Sequence, residues 1–282
     1  MDLLLNTIAL DPNRWTADKT PYYALDRLLP HIAGTDFKKL EVWQHHVSHA
    51  SENDIHWYRQ LADDLGLAFA ILGLYPRLHL EGTARKQEMD AVQHLFDVAG
   101  VLGVRLIKIF PGNLGTDVVT DTEYDRSIGF MQEMARHAAT ADLTITCETH
   151  ANTLCDTRDA CLRFLREVDA ENVKVCYQPY DFTDTAQAIA DYEALAEHVI
   201  HVHYQGRKND QMALLKNADL DYKAITSTLL AHGFEGDLCI EFVKDCVVPT
   251  PADFDLMHVL QNARRDYRFV KKAIAKPAAV LS

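Results

Sequence analysis

The stretch ITCETHANTL, residues 145–154, decides how this chain is read. An apolar run stops at Glu148 and His150, and turn-forming residues follow. Side chains of a strand alternate between its two faces, so Thr144, Thr146, Glu148 and His150 share one face while Leu143, Ile145 and Cys147 share the other. A carboxylate and an imidazole therefore leave the end of one predicted strand on the same side.

Three further runs end in the same manner. VKVCYQPYD (173–181), HVIHVHYQGR (198–207) and GDLCIEFVKD (236–245) carry Gln178, His203 and Glu241 at their carboxyl ends. In the last of these, Asp237, Cys239 and Glu241 share a face opposite Leu238, Ile240 and Phe242. In the one before it, Val199, His201 and His203 oppose Ile200, Val202 and Tyr204. The wholly apolar face of each strand belongs against covering helices, which turns Glu148, His203 and Glu241 inward. Polar groups from four separate segments can converge only if the strands lie side by side and parallel.

The rest of the chain agrees with that requirement. Strands are predicted at 3–10, 40–43, 67–74 and 104–110 before the four runs above, and each of the eight is followed by a helical pattern. The helices are expected at 21–32, 52–65, 83–102, 121–139, 156–168, 184–196, about 219–232 and 252–273, with Ser51 and Thr83 as caps and Gly103 as a stop. Eight strand and helix pairs without a separating linker predict a single α/β domain, a (β/α)8 TIM barrel over residues 1–282 with a short tail at 276–282. In such a barrel the site lies at the carboxyl ends of the strands, where the polar residues were found.

Composition narrows the function classes. The chain has 282 residues, 48% of them hydrophobic and 24% charged, as in a soluble globular protein. A formal net charge of −13 without any basic run argues against a nucleic-acid partner. The first residues lack a basic segment and a long apolar segment, and no window is apolar enough to span a membrane, so a cytoplasmic protein with no membrane partner is expected. The six cysteines form no CxxC pair, and Cys147, Cys176 and Cys239 fall in predicted strands, where a thiol serves as a small core residue.

Two carboxylates, one imidazole and one amide oxygen, contributed by Glu148, Glu241, His203 and Gln178, suit one divalent metal ion. The oxygen majority favours Mn or Mg, with Co or Zn as the alternatives. Lys108, Arg207 and His45 or His46 add cationic or titratable groups near the same mouth. An apolar strand accepts a lysine such as Lys108 where its ammonium reaches solvent or an anion. Trp43, Tyr75, Phe110 and Tyr204 are the aromatic residues that could wall a sugar-sized pocket. The long final helix, with Tyr267 and Phe269, is the surface expected to meet a second copy in a homo-oligomer.

With these pieces in view, the sequence resembles the xylose isomerase-like barrels, which include sugar and sugar-phosphate isomerases and epimerases, inosose dehydratases and family 2 apurinic endonucleases. The matching segments are LEVW with Glu41, CETHANTL with Glu148 and His150, HVHYQGR with His203, GDLCIEF with Glu241, and the approach NADLDYKAI. The resemblance implies a metal held by Glu148, position 178, His203 and Glu241, while Glu41, His45, Lys108, His150, Asp181 and Arg207 are the residues expected at the substrate. Position 178 is Gln where the family carries Asp, and Asp181 stands where the family often has His. Three readings stay open: Gln178 is a ligand, Asp181 supplies the missing carboxylate, or the metal is lost.

The resemblance further implies an isomerase or epimerase acting on a small carbohydrate, with Glu148 and Glu241 exchanging a proton beside a carbonyl through an enediolate. The same intermediate serves a lyase, a dehydratase or decarboxylase of an oxo-sugar acid or inosose. A non-catalytic sugar-binding relative is the third class. An endonuclease would need further His and Asp ligands, and the negative charge opposes DNA.

Overall fold

Alternating strands and amphipathic helices should close into a ring, and in a computed structural model of the chain they do. The structure describes residues 1–181 and 183–276. The strands are β1 (Leu3–Asn6), β2 (Lys39–Trp43), β3 (Ala68–Leu74), β4 (Leu106–Ile109), β5 (Thr144–Glu148), β6 (Val173–Tyr177) and β7 (Val199–Gln205), then the short β8 (Arg207–Lys208) and β9 (Gln211–Met212), and finally β10 (Asp237–Phe242). All but β8 and β9 form one closed parallel barrel in which β10 joins β7 to β1. β8 and β9 pair with each other as an antiparallel hairpin within the long polar loop expected after the seventh barrel strand.

The helices are α1 (Leu25–Ala33), α2 (Glu52–Asp64), α3 (Gly82–Leu102), α4 (Asp121–Thr140), α5 (Arg158–Val168), α6 (Thr185–Leu195), α7 (Tyr222–Ala231) and α8 (Leu256–Ala275). Ser51 caps α2 through a reciprocal box with Asp54, as its position suggested. Gly103 ends α3 in the left-handed region at φ 76°, which a residue without Cβ adopts freely. No side chain caps α3 at Thr83; Glu81 occupies the N-cap position and makes no side-chain cap bond. Except for Lys276, the tail expected at 276–282 lies outside the described residues.

Two of the boundaries that differ from expectation have identifiable reasons. β1 stops at Asn6 because the Asn6 side chain accepts the Ile8 amide and starts a 3-10 turn over Thr7–Leu10. α1 begins at Leu25 because the Asp11 carboxylate binds the amides of Tyr22 and Tyr23 and holds them in the preceding loop. The aromatics of the last helix serve the chain's own core: Tyr267 packs edge-on against Phe37 at 4.9 Å, and Phe269 is packed against the main cluster. Among the described residues no helix is long and apolar enough to cross a membrane.

The apolar stripes of the helices cover the outside of the barrel in one continuous cluster. Inside, a small separate cluster of Leu4, Ile71 and Cys239 carries the apolar packing. Further along the strands a layer of buried polar residues replaces it, namely Asn6, Glu41, Lys108, Thr146, Glu148, His201 and His203. Register sets their neighbours: Asn6 lies beside Glu41, Lys108 beside Thr146, and His203 beside Cys239. β3 contributes Gly73 to this layer. A Cβ there would come to 3.3 Å from both Glu41 Oε1 and Lys108 Cε, so the missing side chain makes room for the charged pair.

One buried carboxyl away from this layer couples the fold to pH. Asp266 on α8 accepts the Leu215 amide at 2.9 Å, while its second oxygen is buried without a partner. Burial pushes its carboxyl up to about 7 from 3.8, the Leu215 bond and Lys216 opposing. A raised folded-state value means that its contribution to stability is complete below the unfolded value and is lost as pH rises through about 7. Asp266→Asn is therefore expected to melt several degrees above the parent on the alkaline side of that window and close to it on the acid side. Thermal melts across the window check this, and an Asp266→Asn advantage that does not change with pH would contradict it.

Candidate metal centre and its cavity

Glu148, His203 and Glu241 come together at the carboxyl ends of β5, β7 and β10, with Gln178 following β6. The register pairs Glu148 with Cys176 and His203 with Cys239, so Gln178 and Glu241 each stand two residues beyond their neighbour's partner, the stagger of a closed barrel. All four are buried. Oxygens of Glu148 and Glu241 and a ring nitrogen of His203 lie within 4.8 Å of one another. His203 Nδ1 is 3.4 Å from Glu148 Oε1 and 3.6 Å from Glu241 Oε1. Thr149 holds the Gln178 backbone, donating to its carbonyl at 2.7 Å and accepting its amide at 2.8 Å.

The hydrogen bonding of these groups is incomplete in a revealing way. Glu148 Oε1, Gln178 Oε1 and His203 Nδ1 are buried without a hydrogen-bond partner, while Glu148 Oε2 meets the Lys108 ammonium at 2.7 Å. Buried acceptors are normally satisfied, and several of them around one point suit a cation. His203 Nε2 lies 2.8 Å from Glu41 Oε2. Donation there leaves the Nδ1 lone pair for a metal, as a carboxylate behind a ligating histidine does. The residues present thus fit a divalent ion held by Glu148, Gln178 Oε1, His203 Nδ1 and Glu241.

A second buried group, Glu41, His201, His203 and Cys239, also clusters at ligand spacing. Its donor set fits a metal poorly. Glu41 already accepts from Asn6 at 2.9 Å and faces His201 and His203 at 2.9 and 2.8 Å. His201 faces acceptors with both nitrogens, the Asp237 carbonyl at 3.0 Å and Glu41. Burial pushes the Cys239 thiol well up, which disfavours the thiolate a metal requires.

Lys108 lies within the same layer, fully buried. Its Nζ is 2.7 Å from Glu148 Oε2 and 4.0 Å from Glu41 Oε1, and 4.7 Å from the ring centres of Tyr75 and Phe110. Burial disfavours its ammonium, but Glu148 above all outweighs that penalty and holds Lys108 charged. Burial likewise opposes ionisation of Glu148, and Lys108 followed by His203 hold it well below the usual carboxylate range. For His203 burial is overcome by Cys176, Glu41, Glu148 and Glu241, which hold the imidazole well above its ordinary value. A metal at Nδ1 must displace that proton.

Above the centre opens a cavity of about 300 Å³ lined by Trp43, Tyr75, Phe110, His150, Glu241 and Phe242. That size suits a small-molecule site. His150 stacks on Phe110 at 4.4 Å, and its Nδ1 lies 2.7 Å from the Ala151 carbonyl. Tyr204 is not part of this wall. It packs against Tyr222 at 4.7 Å and pairs with Thr226, on the helix side of β7, as the alternation of that strand requires.

Other residues expected at the substrate are placed differently. Glu41 is completely buried beneath the centre. His45 packs against Trp43 at 4.7 Å, where burial first and then Lys19 push its imidazole down to about 4. His46 binds Thr7 and approaches Asp11 at 3.5 Å. Asp181 and Arg207 face each other at 3.8 Å in a separate small pocket between the loops after β6 and β7. Asp181 joins neither buried ligand group. Three residues absent from the sequence reading also line the cavity, namely Arg14, Trp15 and Lys19 on the loop between β1 and α1.

The family described as the xylose isomerase-like TIM barrel matches residues 32–273. Among solved structures, D-psicose 3-epimerase from Clostridium cellulolyticum H10, determined with D-tagatose, superposes with a TM-score of 0.79 at 18% identity, over 97% of this chain and 99% of that one. A probable 3-DHS dehydratase from Bacillus anthracis gives 0.75 at 15% identity, over 96% and 99%. A xylose isomerase-like TIM barrel protein from Mycobacterium smegmatis in complex with magnesium gives 0.70 at 15%, over 97% of each chain. At these identities the likeness shows the fold. No curated protein matches the sequence significantly.

Removing one partner of a buried ion pair leaves the other uncompensated, at a cost of about 3–5 kcal/mol. Lys108→Met is therefore expected to lower the melting temperature strongly without metal and to recover part of the loss when Mn²⁺ is added. Thermal melts with and without Mn²⁺ test this, and a Lys108→Met protein as stable as the parent would show that the pair does not balance Glu148.

Proposed function

We propose that this chain, which belongs to the xylose isomerase-like TIM barrel family, is a metal-dependent carbohydrate isomerase or epimerase that moves a proton at a carbon beside a carbonyl. The observation that carries the reading is that buried Glu148 Oε1, Gln178 Oε1 and His203 Nδ1 lack hydrogen-bond partners, with oxygens of Glu148 and Glu241 at ligand spacing from His203. A bound divalent ion supplies Lewis acidity there, which makes such a C–H bond acidic enough for a carboxylate to break.

Glu241 lines the cavity directly and is the carboxylate we assign to proton removal and return. Glu148 serves as the second carboxylate, with Oε2 directed to Lys108 and Oε1 towards His203. Glu41 acts as a positioning residue, since its hydrogen bond orients His203. Trp43, Tyr75 and Phe110 offer aromatic surface to the apolar face of a sugar, and His150 offers a ring nitrogen to a hydroxyl.

A second reading is elimination by a lyase, in keeping with the fold shared with a probable 3-DHS dehydratase. Lys108, fully buried and off the cavity wall, balances Glu148 in either case. Both readings begin with the same proton removal, so they share Glu241 and the metal.

The test combines elemental mass spectrometry of the purified protein with NMR of ketoses and oxo-sugar acids incubated in deuterated buffer. About one equivalent of divalent metal is expected, together with deuterium entering the product at the carbon beside the carbonyl. Chelation should abolish exchange, and Glu241→Gln should slow it at least about 100-fold. Product isomers identify an isomerase, and unsaturated or oxo products with loss of water or CO₂ identify a lyase. A protein that stays metal-free after supplementation, or exchange unaffected by chelation, would refute the metal-dependent reading.

A further inference from the structure

Arg14 and Lys19 line the cavity beside Glu241, and the proton transfer proposed above uses neither. Arg14 is only 2% exposed. Its Nη atoms donate to the carbonyls of Asp11 and Cys246, and Nη2 reaches the Ala9 carbonyl at 3.4 Å. Nε is buried and has no partner. The guanidinium lies over the rings of Trp15 and Phe242, 4.8 and 5.7 Å from their centres. Lys19 donates to the Arg14 carbonyl at 3.1 Å.

Every one of these contacts leaves the charge uncancelled. Among the described residues, no carboxylate lies within ion-pairing distance of Arg14 or Lys19, although the chain has far more acidic than basic groups. Carbonyl oxygens satisfy donors but cannot neutralise a guanidinium, and a buried cation without a counter-charge is costly. Lys19 also holds a left-handed backbone at φ 49°, a conformation long side chains rarely adopt. Strain of that kind clusters at ligand clamps. With Glu241 committed to the metal centre, the remaining charges on the cavity wall are positive.

We infer that the substrate is an anionic sugar derivative whose carboxylate or phosphate is recognised by Arg14 and Lys19, an inference that rests on the carbohydrate site proposed above. The anion completes the charge balance of Arg14, beside Trp15, a residue 57% exposed. Attraction is strengthened because a walled cavity screens charge less than open water does. A neutral sugar would fill the same aromatic wall but leave both cations without a counter-charge.

Titration calorimetry of the full chain with D-fructose, D-fructose 6-phosphate and D-glucuronate tests this. At least one anion is expected to bind about tenfold or more tightly than D-fructose, in keeping with a charge-assisted hydrogen bond, and the two anions distinguish phosphate from carboxylate. Lys19 is half-buried, so Lys19→Gln is the informative variant. It should remove most of the preference while leaving D-fructose binding unchanged, and Arg14→Lys should retain more of the preference than Arg14→Gln. Equal affinity for D-fructose and both anions, no binding of either anion, or a Lys19→Gln protein weakened equally towards all three would overturn the inference. Repeating the titration after chelation separates the two proposals. A protein that takes up no metal yet still prefers an anion leaves this inference standing and removes the metal-dependent reading.

Discussion

The hydrogen bond between His203 Nε2 and Glu41 Oε2, 2.8 Å long and wholly inside the barrel, fixes which nitrogen of His203 is free. Its effect depends on Glu41 staying ionised without water. Burial works against that, and His203, the His201 contact and Lys108 work for it, so Glu41 is held well below the usual carboxylate range. The Asn6 amide occupies its other oxygen at 2.9 Å. A ring held in this way turns Nδ1 towards Glu148 and Glu241 without a search for orientation when a metal arrives. The same layer needs the space left by Gly73, because a side chain there would press on both Glu41 and Lys108.

Charge balance links this layer to the chemistry above it. With Gln178 in place of an acid, the carboxylates of Glu148 and Glu241 would just cancel a divalent ion in the proposed centre. Fewer anionic ligands mean weaker binding but a more strongly electrophilic ion, one that tolerates an anionic substrate better. Lys108 moves the balance in the same direction by sharing Glu148. Arg14 and Lys19 then add positive charge on the cavity wall, where among the described residues no carboxylate pairs with either of them. Three departures that look unrelated in the sequence therefore act in one electrostatic sense.

Most of the fold and the grouping of Glu148, His203 and Glu241 were legible because both rest on a period of two. Alternation within LTITCETH and HVIHVHYQ separates inward Glu148 and His203 from the outward apolar set, and the structure keeps that division. The same rule places Tyr204 on the helix side, so its expected place in the cavity ignored its own parity. The support given by Glu41 was not legible, because its partner His203 is 162 residues away and only the closed barrel brings them together. Arg14 and Lys19 were missed because DPNRWTADKT has no period, and a loop's side-chain directions follow from particular bonds such as those of Asp11. Asp181 and Arg207 were grouped with the site by nearness in sequence, but their loops diverge into a pocket of their own.

The most direct measurement is an anomalous-scattering map from crystals of the chain soaked in Mn²⁺. A single strong peak is expected in bonding contact with Glu148, Gln178 Oε1, His203 Nδ1 and Glu241, with His203 Nε2 still on Glu41. A peak bonded instead by Glu41, His201 and Cys239, or none at full Mn²⁺ saturation, would contradict the assignment of the centre.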